Sequence, residues 1–167
     1  MIEKEELLTI IPHRNRMLML DNVKCYNLGE KSIEAEYRIT SDCLFYDSQA
    51  DGVPAWAGFE FIAQAISAYT GIDYREKGKP PRIGFILGIS RMNIAVPFFK
   101  NGTVLTVKAK EVERMDSFFI YEGEIFEQNA AEFSGQGQEL TENKVLEGKL
   151  TVIDVDDETA MSMKEEK

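Results

Sequence analysis

One histidine, His13, and two cysteines, Cys25 and Cys43, are all the imidazole and thiol that this 167-residue chain possesses. A single subunit therefore cannot run any mechanism that needs two imidazoles. The cysteines stand 18 residues apart with no His or Cys spaced around them as ligands, which argues against a zinc site or a disulfide framework. They read as free thiols, and no metal or resident cofactor is expected. No apolar run reaches the roughly 20 residues of a membrane helix. The opening MIEKEELLTI is too acidic and polar to be a hydrophobic targeting core. The expectation is a soluble, cytoplasmic protein that makes no membrane contact.

Positive charge is scarce overall, at 19 Lys and Arg against 29 Asp and Glu, and it is concentrated. Residues 75–114 hold nine basic and three acidic side chains, whereas the segments on either side are strongly acidic. Such a stretch is either a solvated face or a docking patch for an anionic partner. A net charge of −10 and the lack of any recognition motif count against nucleic acid.

What is present fits one domain, 1–155, with enough apolar residue for a core, at 44% hydrophobic. The acidic tail 156–167, DDETAMSMKEEK, carries too little apolar surface to order itself. A short helix is predicted from Lys4 to Ile11, stopped by Pro12, followed by a strand over MLMLDNV. SIEAEYRI, Ser32 to Ile39, alternates with the period of a strand covered on one face. From about Arg82 onward the pattern is strands only: RIGFILGISRMNIAV, TVLTVKAKEVER, SFFIYEGEIFE and KVLEGKLTVIDV. Gly84 and Gly88 are natural places for the first to bend, and the polar stretch from Gln128 to Asn143 reads as a long hairpin excursion.

Between these lies VPAWAGFEFIAQAISAYTG, Val53 to Gly71, apolar nearly all round and so predicted to be a buried helix. The fold class that follows is α+β, an antiparallel sheet wrapped around one long helix. Glu60, Gln64, Ser67 and Gly71, at i, i+4, i+7 and i+11, fall on one narrow stripe of that helix. A carboxylate taken out of water without a partner costs several kcal/mol or is neutralised. Either Glu60 is paired structurally near the helix start, or the stripe lines a groove and Glu60 is a placed acid or base.

Three segments carry a resemblance. IPHRNRMLMLDNV resembles the opening of the β-hydroxyacyl-(acyl-carrier-protein) dehydratases, a hydrophobic-Pro-His-Arg element leading to Asp-x-Val. VPAWAGFEFIAQA is similar to that family's Pro-Gly-x-x-x-x-Glu-x-x-Ala-Gln element, with Pro54, Glu60, Ala63 and Gln64 in register. IGFILGISRMNIAVPFFKNGTVLTV is similar to the strand pair after the family's helix. The three occur in the expected order over most of residues 10–127. The PAW sequence ahead of the Glu resembles a dehydratase-like group of aryl-polyene and fatty-acid-like synthesis systems. The resemblance implies the hotdog fold, a curved antiparallel sheet around a central helix, dimerising so that sites form along the interface. It also implies substrates tethered to acyl carrier protein through phosphopantetheine, or to CoA.

The match breaks at one place. The family's catalytic His lies 14 residues before the helix Glu, and here that position is Tyr46, in LFYDSQADGVP. Dehydration needs two acid/base groups: one to remove the proton α to the thioester carbonyl, another to protonate the leaving hydroxyl. Glu60 supplies one. The candidates for the second are Tyr46, a poor base with an ordinary pKa of about 10, its neighbour Asp47, and His13 if the Pro-His-Arg element reaches the cleft. By resemblance, backbone N–H groups near Ala55 and Trp56 polarise the carbonyl, with Ala55 replacing the family's Gly, and Gln64 orients Glu60 or a water. Arg82, Arg91, Lys100, Lys108 and Lys110 are candidates for the phosphopantetheine phosphate or an acidic carrier. Three readings stay open: a dehydratase-like protein, a thioesterase needing Glu60 alone, and a non-catalytic partner subunit that shapes the cleft of an active hotdog dehydratase; a homodimer or a heterodimer with a related hotdog subunit is expected.

Overall fold

The computed structural model describes residues 1–80, 82–115, 118–128 and 142–155. The tail 156–167 and most of the excursion between Gln128 and Asn143 lie outside the described residues. The chain opens with β1 (Ile2–Glu3) and α1 (Lys4–Ile10), then a short 3-10 turn at Asn15–Met17. Strands β2 (Asn22–Asn27) and β3 (Ser32–Arg38) follow, then β4 (Gly52–Pro54), a 3-10 turn at Ala55–Ala57, and the 19-residue helix α2 (Gly58–Glu76). The second half is β5 (Ile83–Ile94), β6 (Phe98–Lys100), β7 (Val104–Met115), β8 (Phe118–Gln128) and β9 (Glu142–Val155).

Seven strands form one antiparallel sheet in the order β1-β2-β3-β7-β8-β9-β5, and β4 pairs with β6 apart from it. The expected α+β arrangement is thus present, with α2 packed on β3, β7 and β8. In β3 the alternation reads out directly: Ile33, Ala35 and Tyr37 are buried toward the helix, and Glu34 and Glu36 face out. The expected strand over MLMLDNV begins only at Asn22. Met19 and Leu20, fully buried, instead sit in an irregular link where core burial has overridden the strand pattern. The three short strands β1, β4 and β6 were not expected, being too brief to show a period. Strand β5 bends through irregularities at Ile86/Gly88 and Ile89/Arg91, so of the two expected bending points Gly88 takes part and Gly84 does not.

Helix α2 approaches its neighbours closely because glycine allows it. A Cβ on Gly71 would meet the Ile10 carbonyl oxygen at 2.5 Å, so α1 crosses there. On the sheet side a Cβ on Gly123 would run into Ile62. Phe61, Ile62, Ala65, Ile66, Ala68, Tyr69 and Ile72 are buried. Phe59, Glu60, Ala63, Ser67 and Thr70 are only half-buried, and these positions mark one flank of the helix left open.

Some cations of the basic stretch are paired with carboxylates in the folded protein, across the sheet and along β7 itself. Lys108 lies 3.1 Å from Glu142 and 3.6 Å from Glu34, and Arg114 lies 2.8 Å from Glu111. No helix among the described residues is long and apolar enough to cross a membrane.

Candidate active site

The open flank of α2 forms one wall of a cleft of about 300 Å³. Glu60, Ala63, Ser67 and Thr70 come from α2, Pro12 and His13 from the loop after α1, and the ends of β5 and β9 close the far side. Its lining includes the apolar Ile66, Ile86, Phe85, Phe119 and Val152 together with the charged Arg82 and Asp154.

His13 reaches the cleft because its loop is tied down at both ends. The Arg14 guanidinium donates to the carbonyls of Ile11 at 2.6 Å, His13 at 2.7 Å and Leu8 at 2.8 Å, satisfying orphan carbonyls at the end of α1. Farther along, the fully buried Gln64 of α2 accepts from the Met19 N–H at 2.7 Å and donates to the Met17 carbonyl at 2.7 Å. Its second amide hydrogen goes to Glu60 Oε1 at 2.8 Å. One side chain therefore clamps the Pro-His-Arg segment to the helix and fixes the Glu60 carboxylate.

His13 Nε2 lies 3.7 Å from Glu60 Oε1, an ion pair only when the imidazole is protonated and too long for a hydrogen bond. Burial lowers the His13 pKa, with Glu60 pulling the other way and Arg14 adding to the depression. A neutral imidazole thus stands beside a carboxyl group at neutral pH. Among the described residues, buried His13 Nδ1 makes no hydrogen bond.

The other expected site residues are placed elsewhere in the subunit. The Tyr46 hydroxyl donates to Asp51 Oδ1 at 2.6 Å, and that bond, with burial, raises its pKa and makes it a weaker proton donor that stays protonated near neutrality. Asp47 turns the chain into β4, accepting from the N–H groups of Gln49 at 2.8 Å and Ala50 at 3.2 Å. Neither residue lines this cleft, because each is held by a local turn bond. The Ala55 N–H donates to the Pro97 carbonyl at 3.0 Å, so it is not free to polarise a substrate. Trp56 is 52% exposed and lies edge-on to Phe45, away from the cleft lining.

Of the basic candidates only Arg82 borders the cleft, where it pairs with Asp154 at 3.1 Å and stacks over Tyr74. Asp154 also accepts a hydrogen bond from the Tyr74 hydroxyl. Arg91, Lys108 and Lys110 line a separate groove, and Lys100 donates to the Ala50 carbonyl at 2.9 Å. Two lining positions, Ala63 and Thr70, were signalled by helical spacing from Glu60. Asp154 and Phe119 had no local signal, since they arrive by long-range strand pairing.

The family model for ApeP-like proteins, described as ApeP dehydratase, matches residues 5–163. The chain belongs to this ApeP-like dehydratase family. It is also 30% identical over 109 residues to the 3-hydroxyacyl-(acyl-carrier-protein) dehydratase FabZ of Chlamydia trachomatis, covering 64% of this chain and 70% of that one. FabZ of Erythrobacter litoralis is 27% identical over 71% of this chain and 79% of its own. Among solved structures, the dehydratase heterocomplex ApeI:P from Xenorhabdus doucetiae superposes with a TM-score of 0.76 at 20% identity, covering 94% and 95% of the two chains. A hypothetical thioesterase from Streptococcus pneumoniae follows at a TM-score of 0.55 and 12% identity, covering 81% and 85%. These likenesses fix the fold of the ApeP-like chain as the hotdog.

Proposed function

We propose that this ApeP-like protein removes water from 3-hydroxyacyl thioesters carried on the phosphopantetheine arm of an acyl carrier protein, in the cleft beside Glu60. The observation that carries this reading is the Gln64 clamp, which holds the Glu60 carboxylate at a fixed point in a cleft lined largely by apolar side chains. A positioned acid/base group in a cleft with a largely apolar lining suits proton transfer on an acyl chain. The FabZ relatives are named for this reaction. Arg82, a cation in the lining, suits a phosphate or polar end of the substrate arm.

The protein acts in this reading as one half of a hotdog pair. Strand β5 is the sheet's edge and exposes Phe85, Leu87 and Ile89, at 39%, 53% and 39%. A long apolar edge strand is a template for pairing with another strand. It also borders the cleft, so a second hotdog subunit laid along it would enclose the substrate, and the Xenorhabdus doucetiae relative is itself a dehydratase heterocomplex. The partner is a second copy or a related subunit.

The test follows enoyl absorbance and free thiol together on short enoyl, 3-hydroxyacyl and saturated acyl thioesters, with Glu60→Gln as control. It is run on the protein alone and mixed with a related hotdog subunit that keeps the family's His. Enoyl hydration without thiol release, lost in Glu60→Gln, is the expected result. Thiol release lost in the same variant would move the protein to the thioesterases, and silence under both conditions would overturn the enzymatic reading.

A further inference from the structure

Every dehydration of this kind needs a second proton-handling group, and the position where relatives place an imidazole is Tyr46, whose hydroxyl is hydrogen-bonded to Asp51 and which does not line this cleft within the subunit. We infer that His13 is that group, so that Glu60 and His13 of one subunit form the acid/base pair. The inference rests on the dehydratase reading of the Glu60 cleft and assigns the residue that the reading leaves open.

Three observations carry it. His13 and Glu60 line the same 300 Å³ cleft and approach to 3.7 Å. That distance leaves room for a reacting atom to interact with both groups, while a tight ion pair would hold them against each other. Second, the loop bearing His13 is fixed by five hydrogen bonds, three from Arg14 and two through Gln64, and Gln64 also holds Glu60. The relative placement of imidazole and carboxyl therefore runs through one buried side chain. Third, the other imidazole nitrogen, Nδ1, is buried without a hydrogen bond among the described residues. A purely structural histidine in a core usually has such groups satisfied, because an unpaired one costs about 1–3 kcal/mol.

The chemistry balances within the pair. The reactive form of the pair holds one proton, placed on Glu60; neutral His13 then takes the proton α to the thioester carbonyl, and the freed C–H electron pair becomes the Cα=Cβ double bond. The Cβ–O bond breaks, and the hydroxyl leaves as water with the proton of the Glu60 carboxylic acid. Imidazolium and carboxylate are then left side by side, and passing the proton from His13 back to Glu60 restores the starting state. Burial, which lowers the His13 pKa, keeps the imidazole neutral and able to accept. The charged groups around it are Glu60 from α2, Arg14 from its own loop, and Arg82 with Asp154 across the cleft.

The single histidine makes the test clean. The imidazole resonances of the full chain are titrated by NMR in the wild type and in Glu60→Gln, and enoyl-thioester hydration is measured for the wild type, His13→Gln and His13→Asn. If the pair is coupled, removing the carboxylate lowers the His13 pKa, with a shift of about one unit meaning a tenfold loss of proton affinity. For a lost acid/base group kcat should fall about 10²–10⁴-fold with KM within a few-fold. A His13 pKa that does not move in Glu60→Gln overturns the pairing, and that arm needs no His13 variant to fold. Wild-type rates in either His13 variant, alone or with a His-bearing hotdog subunit, overturn the role and assign the imidazole to the partner. Silence of the wild type itself overturns the dehydratase reading, and the inference falls with it, an outcome distinct from active wild type with active His13 variants.

Discussion

Gln64 and Glu60, one helical turn apart on α2, are joined by a 2.8 Å hydrogen bond in which the Gln64 amide donates to the carboxylate. The same amide nitrogen donates to the Met17 carbonyl and the Gln64 oxygen accepts from the Met19 N–H. All three contacts of a fully buried side chain thus serve the site and the loop that completes it. Gln64→Leu leaves two backbone groups unpaired, each costing about 1–3 kcal/mol when buried. The expected outcome is a clear drop in the urea midpoint together with loss of hydration activity. Gln64→Glu keeps the volume but cannot donate to Met17 or Glu60 and sets two carboxyl groups together. It should fold better than the leucine variant and be as inactive, which denaturant titration and the hydration assay check side by side.

His13 couples stability to pH. Burial holds its folded pKa below the ordinary value near 6.5. Between the two values the unfolded chain binds more protons than the folded one, so stability rises with pH across that window. The contribution is fully present above about 6.5 and is lost as pH falls toward the folded pKa. Carboxylates also titrate below this range, so the diagnostic is a difference. The wild-type urea midpoint should fall from pH 7.5 to 5.5 by more than that of His13→Gln. Equal falls would show that the imidazole is not desolvated.

Much of this was legible in local pattern. The alternation of Ile33, Ala35 and Tyr37, the all-apolar helix and the lone Glu60 on it each report a physical period or a solvation cost, which sequence carries directly. The single stripe of Glu60, Gln64, Ser67 and Gly71 proved to be two faces. Gln64 and Gly71 turn toward the α1 segment, while Glu60 and Ser67 turn toward the cleft. A helical wheel fixes angles between residues but not which neighbour each angle meets. The surroundings of the basic segment were not legible for a related reason, since strand register decides whether Lys108 meets solvent or Glu142 and register is a long-range property. Asp154 and Phe119 were invisible for the same cause.

Gly71 tests the helix crossing. Alanine is the better helix former by roughly 0.8–1.0 kcal/mol, so on propensity alone Gly71→Ala should stabilise. Its Cβ would instead sit 2.5 Å from both the carbonyl oxygen and Cγ2 of Ile10, and the oxygen belongs to backbone already committed to α1. Overpacking of this kind costs about 1–3 kcal/mol, and contact with backbone belongs at the upper end. The expected net result is destabilisation, read as a lower melting temperature. Because Ile10 leads into the Pro-His-Arg loop, activity should fall with it. A stabilised variant would show that α1 can shift freely over α2.

Glu111 presents an asymmetric charge cluster at the β7 irregularity. Its side chain is 1% exposed, yet it meets Lys31 at 2.7 Å and Arg114 at 2.8 Å, whose side chains are 44% and 47% exposed, and it accepts from the Tyr121 hydroxyl at 3.3 Å. Burial alone would raise the Glu111 pKa, but the hydrogen bonds from Arg114 and Lys31 outweigh it and hold the carboxyl below its ordinary value. Its contribution is therefore present above the unfolded pKa and is lost as pH falls through the folded one. The two sides of the cluster differ in what their loss leaves behind. Glu111→Gln frees two cations that water can reach, and a neutral amide still bonds to Tyr121. Arg114→Met leaves a buried carboxylate with Lys31 as its one cation beside the Tyr121 hydroxyl, and breaking a buried pair from that side costs about 3–5 kcal/mol before solvent screening reduces it. The arginine variant should thus unfold at clearly lower urea than the glutamine variant at pH 7. The gap should close below pH 4, where protonation of Glu111 removes the stranded charge; a gap independent of pH would mean that Arg114 acts through its packing on Phe119 instead.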